Sequence, residues 1–170
     1  MEGFEAILPE AYSANFIRAI KDMGLLICGT PEHYNAMTVG WAQLGVLWGT
    51  PVVTVYVRPS RYTYTFACAS RKMTLSFFGE ECREALSFCG KVSGRDRDKL
   101  SECGLHPMTD GAFVTCREAH TVFCLETLYE QDLAPSAFLE KTPMRYYGEG
   151  QGGFHRAFVC GIKQLLVQEK

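Results

Sequence analysis

Val52-Val53-Thr54-Val55-Tyr56-Val57 is β-branched or aromatic at every position. Such side chains crowd the preceding turn of a helix and pack well on a pleated surface, so the run reads as a strand buried on at least one face. It stops at Pro59, which lacks the N–H a ladder needs. Runs of similar character recur at Leu25 to Cys28, Met73 to Phe78, Ala112 to Cys116, His120 to Leu133 and Phe154 to Val167, with Ala36 to Trp48 as a long strand bent at Gly40 and Gly45. Helical spacing is confined to short stretches. Phe16, Ile17, Ile20 and Met23 mark a helix within Ala11 to Met23, with Gly24 as its C-cap, and further helices fit Ser60 to Ala69, Glu80 to Phe88 and Asp98 to Cys103. Gly29 to Tyr34 reads as a polar turn and Pro135 to Gly153 as an irregular segment. Many strands with short helices between them, without regular βαβ alternation, indicate an α+β class that is mainly β: a β-barrel with short peripheral helices.

The chain has 170 residues, 47% hydrophobic and 21% charged, which suits one globular domain spanning 1–170 with no need of a covalent staple. A formal net charge of -2 gives no general attraction to nucleic acid or to an anionic membrane. An anionic ligand must therefore be held by a local cluster. Met1 to Pro9 carries two acidic residues and no basic one, unlike a signal peptide, and no apolar run approaches the roughly 20 residues of a membrane helix. The expected setting is cytoplasmic. Eight cysteines stand without CxxC spacing or histidines at ligand distance, so they are read as small buried hydrophobes rather than metal ligands.

Gly148-Glu149-Gly150-Gln151-Gly152-Gly153 matches the letters of a dinucleotide-binding turn, but that turn must follow a buried strand and open a helix. Here a strand-like segment follows, and a flexible loop is the better reading. Arg58-Pro59-Ser60-Arg61-Tyr62-Thr63 is more informative, because two guanidiniums, two aliphatic hydroxyls and a helix N-terminus converge at a strand end. Forked donors and the positive end of a helix dipole suit a phosphate monoester; a solvated basic loop with Ser60 as a cap accounts for the same letters. In Tyr34-Asn35-Ala36-Met37-Thr38-Val39-Gly40-Trp41 an amide, a hydroxyl, a thioether and an indole alternate along a strand. Such a strip could hydrogen-bond the edge of a flat heteroaromatic ring and pack its face, or be an ordinary half-buried strand. Ser93-Gly94-Arg95-Asp96 reads by itself as a charged turn.

Taken in order, Asn35-Ala36-Met37-Thr38 with Trp41, Gly45-Val46-Leu47-Trp48, Arg58-Pro59-Ser60-Arg61-Tyr62-Thr63, Leu75-Ser76-Phe77-Phe78 and Ser93-Gly94-Arg95-Asp96 resemble the flavin reductase-like proteins with the FMN-binding split β-barrel, and especially their flavoredoxin-like branch. The resemblance runs from about Leu25 to Gly104 and resumes near His155. It implies a homodimer of split barrels, each binding FMN noncovalently near the dimer interface, with NADH or NADPH as electron donor and a small molecule or free flavin as acceptor. A flavoredoxin-type electron carrier without its own nicotinamide site is the alternative. On this resemblance Asn35, Met37, Thr38 and Trp41 lie along the isoalloxazine, while Arg58, Ser60, Arg61, Tyr62 and Thr63 lie on the phosphate side. Ser93, Gly94, Arg95 and Asp96 form a loop approaching the cofactor from above. His155 matches a late-strand histidine near flavin or nicotinamide and is the candidate for a catalytic role. The glycine that commonly follows five positions later is here displaced to Gly161, behind Cys160. No acid or base is strictly required, since hydride transfer is the cofactor's own chemistry.

Overall fold

The β-branched run folds as the last six residues of an eight-residue antiparallel strand, Thr50–Val57. The computed structural model describes residues 1–169, so Lys170 of the expected single domain lies outside the described residues. In chain order the first half comprises β1 (Phe4–Ile7), α1 (Phe16–Lys21), β2 (Gly24–Thr30), β3 (His33–Val39), β4 (Ala42–Leu47), β5 (Thr50–Val57) and α2 (Thr63–Ser70). The second half comprises β6 (Lys72–Phe78), α3 (Arg83–Lys91), α4 (Lys99–Glu102), β7 (Pro107–Asp110), β8 (Phe113–Cys116), β9 (Ala119–Asp132) and β10 (Arg156–Gln168). The large sheet runs β3-β2-β6-β9-β10-β5-β4, with β1 added to β10, and β7 pairs with β8 in a separate hairpin. All pairings are antiparallel. The sheet curls but does not close: β3 and β4 are its two ends. This is the expected mainly-β split barrel with short helices outside it.

Both faces of the central strands are covered. On β2, Leu26 and Cys28 enter the barrel core with Met73, Leu75, Phe77, Val53, Val55 and Phe158, while Leu25 and Ile27 point the other way into a second core beneath α3, α4 and β8. Period-two alternation thus feeds two apolar layers from one strand. The β7–β8 hairpin is fastened by polar contacts: Thr74 Oγ1 donates to the Val114 carbonyl at 2.5 Å, and the Ser76 and Thr115 hydroxyls lie 2.8 Å apart. Their hydrogen bonds offset the cost of burying those hydroxyls.

Several boundaries differ from the sequence reading. The first helix is only α1, capped where Asn15 Oδ1 accepts from the Arg18 amide at 3.0 Å; Pro9–Ala11 form a separate 3-10 turn. Met23, at φ 71°, takes the left-handed position expected of Gly24, and Gly24 instead begins β2. The expected long strand from Ala36 to Trp48 is two strands broken at Gly40 and Trp41, and most of the supposed turn from Gly29 to Tyr34 is ladder. β1 and β7 were not expected, and the helix at Ser60 begins only at Thr63.

Candidate functional site

Where the sheet fails to close, β3 faces β5 across a cleft. A cavity of about 210 Å³ there is bounded by Met37, Thr38 and Trp41 on one side and by Tyr56, Arg58 and His155 on the other. A second cavity, of about 190 Å³, continues it past Arg61, which lines both. Together they fall in the roughly 300–1,000 Å³ range of small-molecule sites.

The second cavity is cationic. Arg61, Lys91, Arg95 and Lys99 line it, alongside Ser60, Ser93 and the start of α2, and none of its lining residues is a carboxylate. No side chain caps α2, which leaves the positive end of an eight-residue helix turned to the same space. Arg61 donates to the Gly90 carbonyl at 2.9 Å, tying the start of α2 to the end of α3, and its partial burial lowers its pKa. Arg95 lies over the Tyr62 ring at 4.9 Å, and Ser93 Oγ accepts from the Arg95 amide at 3.2 Å, so the 93–95 turn is held above α2. Gly94 permits that approach: a Cβ there would sit 1.9 Å from Asn35 Oδ1.

Asn35 is buried, and its Nδ2 donates to Thr63 Oγ1 at 2.7 Å, linking β3 to the first residue of α2. Thr38 is half-buried in the wall of the first cavity, packed on Gly90. At the far end Trp41, Tyr147 and His155 form an aromatic cluster, with the Trp41 ring 4.5 Å and the Tyr147 ring 5.7 Å from His155. The Tyr147 hydroxyl is 3.1 Å from His155 Nδ1. Burial, with the Arg58 charge adding to it, lowers the His155 pKa to about 4, so the imidazole is neutral near pH 7. His155 precedes β10. The bulge that leaves Leu128 unpaired between Val159 and Cys160 falls downstream, so the displaced glycine does not turn His155 away from the cleft.

The expected residues are therefore not equivalent. Asn35, Met37, Thr38, Trp41, Ser60, Arg61, Tyr62, Thr63, Ser93, Gly94, Arg95 and His155 line one or other of the joined cavities. Arg58 also borders the cleft, but its guanidinium is engaged by the loop before β10, donating to the carbonyls of Tyr146 at 2.8 Å and of Gln151. Asp96 does not line the cationic cavity; with Glu32 and Asp98 it lines a neighbouring one of about 470 Å³ that shares Asn35, Gly94, Arg95 and Lys99 with it. Lys99, not singled out from sequence, is buried beneath Gly94, its Nζ donating to the carbonyls of Ala36 and, at 3.2 Å, of Cys89. Burial lowers its pKa. A charged residue inside the short helix expected at Asp98 to Cys103 was the available signal. The glycine-rich loop leads into β10 and opens no helix, unlike a dinucleotide-binding turn; it packs against Ser60, where a Cβ on Gly152 would lie 2.2 Å from Ser60 Oγ.

Among the described residues no cluster of His, Cys, Asp or Glu could hold a metal ion, and no helix is long and apolar enough to cross a membrane. A sequence model of the flavin reductase like domain matches residues 22–130. No curated protein matches the sequence. Among solved structures, flavoredoxin from Methanosarcina acetivorans superposes with a TM-score of 0.66 at 19% identity, covering 86% of this chain and 68% of that one. An FMN-binding domain of a flavin reductases-like enzyme from Shewanella baltica OS155 gives 0.67 at 13% identity, covering 97% and 77%. The styrene monooxygenase flavin reductase of Pseudomonas putida S12 gives 0.63 at 15%, covering 91% and 88%. At these identities the likeness is one of fold.

Proposed function

The chain belongs to the flavin reductase-like domain family, and from that premise we propose that its joined cavities hold FMN and that it passes electrons from NADH or NADPH through the flavin to a small acceptor or to free flavin. The observation that carries this reading is the pairing, on either side of Arg61, of a carboxylate-free cationic cavity with one lined by Met37, Val39, Trp41 and Tyr56. A phosphate monoester fits the first, where Arg61 and Arg95 supply charge, Ser60 and Ser93 hydroxyl donors and α2 its dipole. An aromatic ring system fits the second, against Met37, Thr38 and Trp41.

Bound flavin supplies reversible acceptance of a hydride or of single electrons. The protein's own work is then to hold and shield. Thr38, with the amide of buried Asn35 nearby, supplies polar groups toward a ring edge; Trp41 and Tyr147 exclude water from the cleft mouth; and neutral His155 offers an imidazole nitrogen without adding charge. His155→Ala should therefore disturb turnover or nicotinamide binding more than flavin affinity.

The test is the absorption spectrum of purified protein before and after anaerobic NADH or NADPH. Bleaching of the bound-flavin bands by either nucleotide is expected. Bleaching by dithionite alone would favour the flavoredoxin-type carrier, and a protein that takes up no FMN would end the proposal. The same reading assigns a homodimer. Val46, Leu47 and Trp48 on the β4–β5 hairpin and Leu128 and Tyr129 on β9 are all exposed, with Trp48 and Tyr129 rings 6.2 Å apart. A second copy of the chain is their proposed cover.

A further inference from the structure

We propose that Cys89 and Cys103 are an oxidisable pair whose disulfide locks the segment between them against the cationic end of the groove. Their sulfurs lie 3.7 Å apart. Cys89 sits in α3 with no exposure, and Cys103, at the C-cap of α4, is half-buried. A disulfide needs about 2.05 Å between sulfurs, so each must move by only about 1 Å. Cys82 and Cys116 share the same apolar cluster, but among the described residues Cys89 and Cys103 are the cysteine pair whose sulfurs touch.

Placement gives the bond a consequence. The ring it closes contains Ser93, Gly94, Arg95 and Lys99, all lining the cationic cavity. Its base is already tied to that cavity: the Cys89 carbonyl accepts from Lys99 Nζ at 3.2 Å and the adjoining Gly90 carbonyl from Arg61 at 2.9 Å. Cross-linking α3 to α4 removes the freedom of this wall to swing outward, and so slows escape of whatever anion lies behind it.

Cys103 is the sulfur an oxidant can reach, while burial, followed by the neighbouring Cys103, raises the Cys89 pKa to about 12 and keeps that thiol protonated until its partner is activated. With hydrogen peroxide as oxidant, the Cys103 sulfur forms a bond to one peroxide oxygen as the O–O bond breaks, giving a sulfenic acid and one water. The Cys89 sulfur then attacks the Cys103 sulfur; the S–S bond forms, the S–O bond breaks, and hydroxide leaves with the Cys89 proton as a second water. Two thiols lose two electrons and two protons, and one peroxide becomes two waters. A dithiol reductant reverses the bond by exchange.

The cross-link is independent of the flavin reading; its effect on ligand release rests on it. The experiment treats full-length protein, reduced beforehand, with peroxide, blocks remaining thiols under denaturing conditions and digests with trypsin, which cuts inside the ring at Arg95 and Arg97. Mass spectrometry should then find the Cys89 and Cys103 peptides joined, released by dithiothreitol and absent from Cys103→Ser, with Cys103→Ala as a second variant should the serine disturb folding. Release of FMN on dilution should be severalfold slower from oxidised than from reduced protein, with no such difference in the variant. Cys103 recovered as sulfinic acid, or linked to Cys82 or Cys116, would overturn the pairing, and a joined peptide with unchanged FMN release would overturn the lock. A joined peptide in a protein that binds no FMN leaves the disulfide standing and removes the cofactor assignment instead.

Discussion

Arg58 and Arg61 carry the same charge and differ in what already holds them. Arg58 is spent on carbonyls of the 146–153 loop, whereas Arg61 makes one carbonyl contact and lines both cavities. If Arg61 grips the phosphate, Arg61→Ala should lose a charge-assisted bond of about 1.5–3 kcal/mol, a roughly ten- to hundredfold weakening of FMN binding. Riboflavin, which lacks the phosphate, should bind the wild type more weakly and barely register the change. Arg58→Ala should instead free the loop and weaken both ligands together. Parallel titrations at fixed ionic strength separate the cases, and equal losses for both ligands in Arg61→Ala would place the phosphate elsewhere. His155 makes a second prediction. An unfolded imidazole takes its proton near the ordinary value of 6.5, the folded one only near 4. Between those values the unfolded chain binds the extra proton, so the stability that His155 contributes is whole above about pH 6.5 and is lost as pH falls toward 4. His155→Gln should show a shallower decline of Tm between pH 7 and 4.5; parallel curves would mean that His155 titrates normally.

At the scale of elements, the groove depends on β3 being held to α2 and approached closely by the 93–95 turn. The Asn35–Thr63 hydrogen bond, at 2.7 Å between buried groups, makes the first of these connections. Thr63→Val leaves the Asn35 amide without its acceptor, and an unsatisfied buried donor costs about 1–3 kcal/mol. For a chain of this length each kcal/mol lowers Tm by about 2–4 °C, so thermal unfolding should show a drop of roughly 2–12 °C. No measurable drop would mean that water replaces the lost contact. Gly94→Ala tests the approach of the turn. The added Cβ, 1.9 Å from Asn35 Oδ1, must push the turn off β3, so FMN affinity should fall with little change in Tm. A Tm loss as large as that of Thr63→Val would show that the turn supports the fold rather than the ligand.

For the whole molecule the question is what covers the β4–β5 hairpin. Its two-residue turn places Trp48 at φ 53° and Gly49 at φ 69°. A hairpin of this hand favours Asn or Gly at such positions, so a bulky indole in the left-handed region is costly and calls for a compensating contact. Trp48 is 63% and Val46 73% exposed in the single chain. A homodimer burying them should give twice the chain mass by light scattering at micromolar concentration, and Trp48→Lys with Val46→Lys should give monomers that remain folded by circular dichroism. A wild-type monomer with FMN bound would defeat the dimer.

The amino-acid sequence by itself determined what local physics can determine. Val52 to Val57 could only be a buried strand, Pro59 had to end it, and two arginines beside hydroxyls at a helix start read either as a place for an anion or as a solvated basic loop. Strand periodicity is a nearest-neighbour property, so Met73 to Phe78 and His120 to Leu133 were readable within a residue or so of β6 and β9. Tertiary structure decided the rest. Whether Arg58 or Arg61 is available depends on a loop nearly a hundred residues later, since Arg58 reaches Gln151 and Tyr146. Lys99 became part of the site only because α4 folds beneath Gly94, and Asp96 lines the neighbouring cavity instead. The Gly40–Trp41 break arises where β3 leaves β2 and β4 turns to β5, a change of partner invisible to composition. The opening itself, between the two ends of a sheet that curls without closing, belongs to strand order, and strand order is set by long-range pairing that no local window contains.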